Sequence, residues 1–430
     1  MIHRKRGKNL SLLELIAIAL GGMVGGGIFT ILGISVSLIG AYTPIAIIFG
    51  GIFALFSAYS YVKLGLYYKD EGAAYSFLKN TFSSSPFIAS LIGWWVVFGY
   101  ISTLSLYAYT FSSYAISGFE FGNDEVIRKV VAMLVITLFS LVNIWSVKGM
   151  GKIEDLMVYT KLIILVVISF TLINHSSISL PTLLEDSQNT TLFSILIVSS
   201  ITFVAYEGFE LVINAVKEME NPQKNIPRAI YSAIMLAVLI YVVISAGAIF
   251  AIPFKDIIAN QEYALAAGAD NILGHIGSEV VILGAVLATS SAISGTLFGA
   301  SRQMAVISDD GYFPSFLSKR KNSIPIYAII TMSFFAFLLI LVGNLEVILE
   351  FGSITFLLVS ILMAYANFKI REKTGASALI TLIALVSLSL GTLLIFYYEY
   401  TTEVEQIYFI GLLYILLSLS AFLYSKFEKN

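Results

Sequence analysis

Long apolar segments recur along the whole chain of 430 residues and constrain its fold more than any other feature. A helix needs about 20 predominantly apolar residues to cross about 30 Å of hydrocarbon. The runs are continuous rather than alternating, unlike the short strands of a membrane barrel. The sequence therefore predicts an all-α, polytopic membrane protein with 12 transmembrane helices, at 10–39, 43–67, 86–118, 126–147, 153–174, 192–216, 227–252, 278–307, 324–343, 347–369, 376–397 and 405–425.

The composition argues against several other functions. Apolar residues make up 58% of the chain and charged residues 12%, too few charges for the surface of a water-soluble enzyme. A net charge of -2 offers no basic surface for nucleic acid, and there is no cysteine for a disulfide, a thiolate metal site or a nucleophile. His3, His175 and His275 fall outside the predicted spans. We therefore expect no enzymatic activity, no metal and no cofactor.

Lysine and arginine are distributed unevenly between the two predicted sides. With twelve crossings, 21 of the 25 fall on the side of both termini, and Arg128, Lys129 and Lys255 fall on the other. Lys161 lies inside a span. Because loops rich in lysine and arginine stay on the cytoplasmic side, the pattern predicts a multi-pass protein of the cell (plasma) membrane with both termini in the cytoplasm.

The first span contains a cluster of glycines. Residues 21–27 read Gly-Gly-Met-Val-Gly-Gly-Gly, five glycines in seven positions. Each glycine costs a helix up to about 1 kcal/mol relative to alanine, so an unbroken helix is unfavourable here. Two interpretations remain. The glycines could allow close helix packing, or they could mark a functional break in the helix.

The sixth span carries two acidic residues at membrane depth. Residues 203–210 read Phe-Val-Ala-Tyr-Glu-Gly-Phe-Glu, so Gly208 lies between Glu207 and Glu210. A carboxylate at that depth costs about 2.5–3.5 kcal/mol on insertion scales, so it should face a cavity or a partner. This span is therefore predicted to be interrupted as well, which favours the functional interpretation of the glycines in the first span.

Two interrupted spans that lie five helices apart indicate inverted repeats. Because five is odd, the two sets of five helices enter the membrane in opposite senses, and paired interruptions of this kind flank a binding site at the midplane of transporters. We expect a first repeat over residues 10–174, an inverted second repeat over 192–369, and two additional helices over 376–425.

Four sequence blocks resemble the amino acid-polyamine-organocation (APC) superfamily, and most closely its prokaryotic, proton-coupled amino acid permeases. Residues 21–29 are similar to G-x-x-x-G-x-G-I-F, and residues 203–210 to F-x-A-Y-x-G-F-[DE]. Residues 218–230 resemble E-x-x-N-P-x-x-x-x-P-R-A-I, although Lys217 stands where many members have a second glutamate. Residues 301–314 resemble the S-R…D-G-x-x-P loop.

The resemblance implies a LeuT-type five-plus-five inverted repeat with broken helices 1 and 6, and amino acid transport as the activity. The two prolines of the third block have a structural interpretation of their own. The segment reads as a loop followed by Pro227 at the start of helix 7, where a proline is well tolerated.

A break in the first span would supply groups that bind an amino acid. N–H groups at the start of the outer half-helix would hold the carboxylate, and freed carbonyls around Gly22, Met23 and residues 203–206 would accept from the ammonium. Together with the residues implied by the resemblance, the predicted substrate site comprises Met23, Val24, Gly25, Gly26, Gly27, Ile28, Phe203, Ala205, Tyr206, Glu207 and Gly208.

Lys161 is predicted to lie about 12 Å deep in span 5, further than its side chain can reach back to the interface. A lysine at that depth could take up and release a proton. It resembles the span 5 lysine of proton-coupled, sodium-independent members, which implies proton-coupling partners at Gly22, Ser290 and Ser291. Alternatively, it is a structural lysine that is paired permanently with a carboxylate or faces a cytoplasmic vestibule.

Glu207 also leaves two interpretations open. It could recognise a second amine, as in lysine, arginine or a polyamine, or it could hydrogen-bond the unwound backbone as a neutral acid. As a whole, the sequence predicts a secondary active amino acid transporter in the lipid bilayer, proton-coupled and sodium-independent, that works by alternating access. Uptake of amines or polyamines, or exchange of an amino acid for an amine, is the alternative.

Overall fold

A computed structural model gives the fold of residues 10–70, 72–145, 147–175, 177–216, 219–261, 263–321 and 324–427. Side chains are described in these ranges except at 147–156, 273 and 427. The basic N-terminal tail, which contributes to the predicted orientation, and the motif residues Lys217 and Glu218 lie outside the described residues.

The described residues form an all-helical fold, as the continuous apolar runs predict. In chain order the helices are α1 Leu12–Met23, α2 Gly27–Ile39, α3 Thr43–Tyr68, α4 Ala73–Thr81, α5 Pro86–Ile116, α6 Glu125–Trp145, α7 Val147–Asn174, α8 Leu180–Glu185, α9 Leu192–Ile201, α10 Leu211–Asn214, α11 Pro222–Ala251, α12 Phe254–Ala259, α13 Ala264–Asp309, α14 Ile326–Val342, α15 Leu345–Lys369, α16 Arg371–Thr374, α17 Ala378–Thr402 and α18 Val404–Phe427. Within α13 the backbone departs from helical geometry at Gly274.

Ten helical stretches of the described chain are long and apolar enough to cross a membrane, so the protein is a multi-pass membrane protein. One of them, Gly27–Tyr68, runs from α2 into α3 and is 42 residues long. Two shorter apolar helices, α1 and α14, have 12 and 17 residues. The ten stretches differ from the twelve predicted spans for two reasons: the second half of the interrupted first span continues into α3, and α14, which covers the predicted ninth span, has only 17 residues.

Local sequence signals explain several helix ends. Ser11 and Glu14 form a reciprocal capping box at the start of α1. Helix α11 begins at Pro222, not at Pro227 as predicted, and Pro227 lies inside the helix. Pro222 occupies a position at the helix start that needs no N–H partner, whereas Pro227 lies one turn further on. The first proline of the motif, rather than the second, therefore starts the helix.

Segments predicted to lie on the same side of the membrane meet at the same end of the bundle. The Lys79 ammonium pairs with the Asp310 carboxylate (2.6 Å), which joins two predicted inner loops. At the opposite end the N–H of Ser177 donates to the carbonyl of Phe250 (3.1 Å), which joins two predicted outer segments. Between these ends α5 packs along α13, and α3 packs along α11.

Candidate functional site

The glycine cluster divides the first span into two helices. Helix α1 ends at Met23 and α2 begins at Gly27, and the glycine cluster at this junction, residues 21–27, is here called the first break. At Val24 the backbone leaves helical geometry, with φ -81° and ψ 66°. The N–H of Gly25 donates to the carbonyl of Met23 (2.8 Å), a bond that no regular α-helix contains. The glycines therefore interrupt the helix.

Donors from three other helices satisfy carbonyl groups at the end of α1. The last carbonyls of any helix lack partners within the helix and need them from elsewhere. The donors come from α5, α7 and α11, which surround this helix end. Their bonds run from the Tyr107 hydroxyl to the Gly22 carbonyl (3.3 Å), from the Tyr241 hydroxyl to the Met23 carbonyl (2.6 Å), and from the Lys161 ammonium to the Gly21 carbonyl (3.0 Å).

The sixth span is interrupted too. Helix α9 ends at Ile201, a short 3-10 helix covers Thr202–Tyr206, and α10 begins only at Leu211. Residues 202–210 are here called the second break. Glu207 is extended, and Gly208 has a φ of +122°, a conformation that glycine adopts with little strain.

Glu210 stabilises the second break from within. Its Oε2 atom accepts a hydrogen bond from the N–H of Gly208 (3.0 Å), and its Oε1 atom accepts one from the Tyr100 hydroxyl of α5 (2.8 Å). Glu210 is 3% exposed, so both bonds are shielded from water. The carboxylate thus satisfies a backbone donor that unwinding has freed, as the sequence analysis had considered for Glu207.

The two breaks contact each other through their backbones. A methyl group placed on Gly208 would lie 2.7 Å from the carbonyl carbon of Gly22 and 2.8 Å from the nitrogen of Met23. The Tyr241 hydroxyl, which donates to Met23 in the first break region, also lies 3.0 Å from the carbonyl of Ala205 in the second. The breaks therefore form one packed centre, with no side chain between them at Gly208.

The glycines of the first break face protein atoms. A methyl group on Gly26 would lie 3.1 Å from Thr110 and Tyr107, and one on Gly27 would lie 2.9 Å from the Cβ atom of Ala205. A methyl group on Gly25 would meet Ala292 at 2.7 Å. The glycines therefore allow close packing, as one interpretation predicts, and they also interrupt the helix, as the other requires.

A narrow cavity with an open mouth lies beside the two breaks. Three helices, α5, α10 and α13, supply most of its wall. The lining residues are Gly21, Gly22, Tyr100, Thr103, Tyr107, Glu207, Gly208, Leu211, Asn214, Ser291, Ala292, Gly295, Thr296, Gly299, Ala300, Gln303 and Phe356. Because Asn214 and Gln303 approach the ends of α10 and α13 that connect to predicted inner loops, the cavity extends toward that end of the bundle.

The structure brings the predicted substrate residues together around the breaks but exposes only some of them to the cavity. Glu207 and Gly208 line its wall, as does Gly22. The others are packed inside protein, where none of their side chains is more than 2% exposed. They comprise Met23, Val24, Ile28, Phe203, Ala205 and Tyr206, together with the buried Gly25, Gly26 and Gly27.

Glu207 differs from Glu210 in its hydrogen bonding. It is 3% exposed, yet neither of its carboxyl oxygens has a hydrogen-bond partner among the described residues. The carboxyl of Glu210 lies beside it and interacts with it directly. Apart from this contact between two carboxyl groups, Glu207 has no polar partner among the described residues, and it lines the cavity.

Lys161 is completely buried and joins α7 to two other helices. Besides its bond to Gly21, its ammonium donates to the Ser291 hydroxyl of α13 (2.8 Å). Ser291 lines the cavity, and Ser290 beside it is also buried. Of the predicted partners, Ser291 thus contacts Lys161 directly, while the carbonyl of Gly22 accepts from Tyr107.

Helix α5 contributes polar side chains that were not among the predicted site residues. Tyr100, Thr103, Tyr107 and Thr110 occur at spacings of three, four and three residues, which places them on one face of the helix. The first three line the cavity, and Thr110 packs at Gly26. A search for helical polar periodicity within span 3 would have found this face.

A multi-pass helical protein with two interrupted helices in contact, beside a buried cavity, belongs by its architecture to the membrane transporters. The sequence comparisons agree. From residue 10 to residue 417 the sequence matches the amino acid permease family of the APC superfamily, and the chain belongs to that family. Permeases of this family are transporters, not enzymes.

Several relatives align over most of the chain. An uncharacterized protein of Methanocaldococcus jannaschii is 27% identical over 426 residues, which cover 99% of this chain and 97% of the relative. The inner membrane transport protein YbaT of Escherichia coli is 28% identical and covers 86% and 85% of the two chains. The serine/threonine exchanger SteT of Bacillus subtilis is 23% identical and covers 85% and 84%.

Proposed function

We propose that this permease couples amino acid transport to the proton gradient, without sodium, by alternating access across the plasma membrane. The observation that carries the proposal is the position of Lys161. Its ammonium bridges the end of α1 and the cavity-lining Ser291 of α13, with no exposure to water. A buried cation at this junction occupies the place where a transported cation would have to interact with both helices.

Loss of a proton from Lys161 would weaken this junction. An ammonium has three donors and a charge that strengthens each bond, whereas an amine has two donors and no charge. The contacts that tie α7 to α1 and α13 would then be weaker in one protonation state than in the other. A difference of this kind lets protonation favour one conformation of the transporter.

We also propose the twelve-span, five-plus-five architecture, with residues 10–174 and 192–369 as inverted repeats, 376–425 as additional helices, and both termini in the cytoplasm. Three features support it. The breaks occur in the first span of each half, and α3 packs along α11, its equivalent in the other half. Likewise α5 packs along α13. Such pairing is expected when the two halves are related by pseudo-symmetry.

The proposed substrate site combines the breaks with the cavity wall. Glu207, Gly208, Gly21 and Gly22 line the cavity, so they would contact substrate first. The N-terminus of α2 at Gly26 and Gly27 is packed against α5 and the second break. Binding of a carboxylate at that helix end therefore requires these packed elements to separate, as alternating access would allow.

Transport by purified protein in proteoliposomes tests this function. With a panel of labelled amino acids, we expect counterflow, uptake that rises as external pH falls, and no change when potassium replaces sodium. Collapse of the proton gradient should abolish accumulation but leave counterflow, because exchange needs no net driving force. Uptake that requires sodium would contradict the proposed coupling.

Lys161→Ala tests the residue that carries the proposal. We expect it to abolish proton-driven accumulation while substrate binding persists, because the hydrogen bonds that this lysine donates to lining residues, as described above, go to Gly21 and Ser291 and not to Glu207 or Gly208. Lys63→Ala is the matched control, since Lys63 also donates to a carbonyl, that of Gly375 (2.9 Å), but does so outside the site. Accumulation retained in Lys161→Ala would assign the proton to another group.

Uptake of amines or polyamines, or exchange of an amino acid for an amine, is a second candidate. It is favoured by Glu207, which lines the cavity and whose polar contact in the described chain is another acidic group, Glu210, and not a cation. This observation concerns the substrate and not the coupling ion, so it is compatible with proton coupling through Lys161. Amino acid transport and amine transport would use the same cavity.

A further inference from the structure

The cavity wall is nearly neutral apart from one acidic side chain. Among the described residues that line it, Glu207 alone carries a formal charge. Tyr100, Tyr107 and Phe356 contribute aromatic rings, and the amide side chains of Asn214 and Gln303 contribute further polar atoms. The wall thus combines one anion with the kinds of group that stabilise a cation.

The alternative role of Glu207, bracing the unwound backbone, is performed by another residue. Glu210 accepts from the N–H of Gly208, whereas the N–H of Glu207 bonds to the carbonyl of Val204 (3.1 Å). Among the described residues, Glu207 accepts no hydrogen bond from a backbone N–H and has only the neighbouring Glu210 carboxyl as a polar contact. The two carboxyl groups therefore have different roles in the structure. Glu210 accepts a hydrogen bond from the backbone, and Glu207 faces the cavity, where a ligand can reach it.

A buried acidic group without hydrogen bonds is expensive to maintain. Buried polar groups are almost always satisfied, and an unpaired buried carboxylate costs several kcal/mol on the order-of-magnitude scale of desolvation. A ligand that supplies a cation and N–H donors to both oxygens would remove this penalty. An alkylammonium group does so with three donors, and its methylene groups suit the aromatic part of the wall.

We propose that Glu207 binds the alkylammonium group of a substrate, so that the permease selects substrates with an amine beyond the α-amino group of an ordinary neutral amino acid. The chemistry is shared by basic amino acids and by diamines. The proposal rests on the proposed transport function for its cavity, and it adds the identity of the group that Glu207 recognises.

Three ligands of similar length test the proposal. Lysine carries both a carboxylate and a side-chain ammonium, norleucine lacks the side-chain ammonium, and cadaverine lacks the carboxylate. Dissociation constants are measured by thermal stabilisation and by competition in counterflow, with unmutated protein, Glu207→Gln and Glu399→Gln. Glu399 is the matched control because it is also a buried glutamate that contacts a second carboxyl, that of Glu350, but it does not line the cavity.

Unmutated protein should bind lysine more tightly than norleucine. Glu207→Gln should raise the dissociation constant for lysine by about 10- to 100-fold, as expected for loss of a hydrogen bond between charged groups, and should change that for norleucine by less than about threefold. Glu399→Gln should leave both ligands within about threefold of the unmutated protein. Cadaverine binding that is equally sensitive to Glu207→Gln assigns the site to amines in general, whereas absence of cadaverine binding assigns it to basic amino acids.

Two results would overturn the inference while leaving transport intact. One is binding of norleucine but not of lysine or cadaverine by the unmutated protein. The other is an equal effect of Glu207→Gln on lysine and norleucine, which would make Glu207 a structural acid paired with Glu210. If none of the ligands bound and no amino acid gave counterflow, the proposed function itself would fail, and the inference with it.

Discussion

The two breaks interrupt their helices in the same way but are stabilised differently. At the first break, the backbone groups that lack a partner within the helix are carbonyls. Three other helices supply their donors, which are Tyr107, Lys161 and Tyr241. At the second break, unwinding frees the N–H of Gly208, which donates to Glu210, two residues further along the same segment. The first break thus depends on tertiary structure, whereas the second largely supplies its own partner.

This difference has a consequence for conformational change. A segment that carries its own hydrogen-bond partner keeps that bond when the surrounding helices move. A segment whose partners come from α5, α7 and α11 exchanges or loses bonds whenever those helices shift. We therefore expect the first break to respond to movements of the bundle, and the second to behave as a unit that retains its local geometry.

The largest effect is expected from Gly208→Ala at the contact between the breaks. The new methyl group would meet backbone atoms of Gly22 and Met23, and a φ of +122° is strained for alanine. Overpacking and backbone strain each cost about 1–3 kcal/mol. The apparent unfolding temperature of purified protein should fall markedly and substrate binding should be lost.

Gly411→Ala is the control for this substitution, because Gly411 lies within α18 and a methyl group there has no neighbour within 4 Å among the described atoms. It should leave unfolding temperature and binding nearly unchanged. A stable, binding-competent Gly208→Ala protein would mean that the two breaks need not touch, and the comparison between them would lose its basis.

An intermediate effect is expected from Tyr241→Phe, which affects both breaks at once. The hydroxyl is within hydrogen-bond distance of the carbonyls of Met23 (2.6 Å) and Ala205 (3.0 Å). A buried acceptor left unsatisfied costs about 1–3 kcal/mol. Hydrogen exchange measured by mass spectrometry should increase in peptides from both breaks, and an increase confined to one of them would show that the hydroxyl serves only that side.

The smallest effects are expected from two substitutions, each of which affects only one of the two breaks. Tyr107→Phe removes the long 3.3 Å hydrogen bond to the Gly22 carbonyl and should lower the free energy of unfolding by about 0.5–1.5 kcal/mol, with faster hydrogen exchange in peptides around residues 21–30.

Glu210→Gln leaves one acceptor oxygen for the two donors, the Gly208 N–H and the Tyr100 hydroxyl. It should instead increase hydrogen exchange in peptides around residues 203–211. If each variant loosened both regions equally, the distinction between tertiary and local support would be wrong.

The positions of the breaks could be predicted from sequence because they depend on residue types that a membrane helix tolerates poorly. Clustered glycines weaken a helix, and two carboxylates at membrane depth need partners, so each segment was identified from its own residues. The contact between Lys161 and Ser291 was also expected, although from resemblance to a family and not from the pattern of the sequence.

The different roles of Glu207 and Glu210 could not be predicted from the sequence. Which carboxyl reaches the N–H of Gly208 depends on the φ angle of that glycine, which sets the direction of the chain at the turn. The tyrosines that donate to the first break lie on α5 and α11, far away in sequence, and only packing brings them to these carbonyls. Local patterns identify a need for partners but do not identify the partners.

Leu10, just before α1, is joined to the segment between α10 and α11. Leu10 pairs with Met219 in an isolated β-bridge, and the N–H of Glu220 donates to the Leu10 carbonyl (3.1 Å). Spectroscopic labels placed on either side of this bridge would keep a fixed separation as long as the bridge persists. The distance between these two labels would serve as an internal reference. Distance changes measured between labels across the first break could be compared with it.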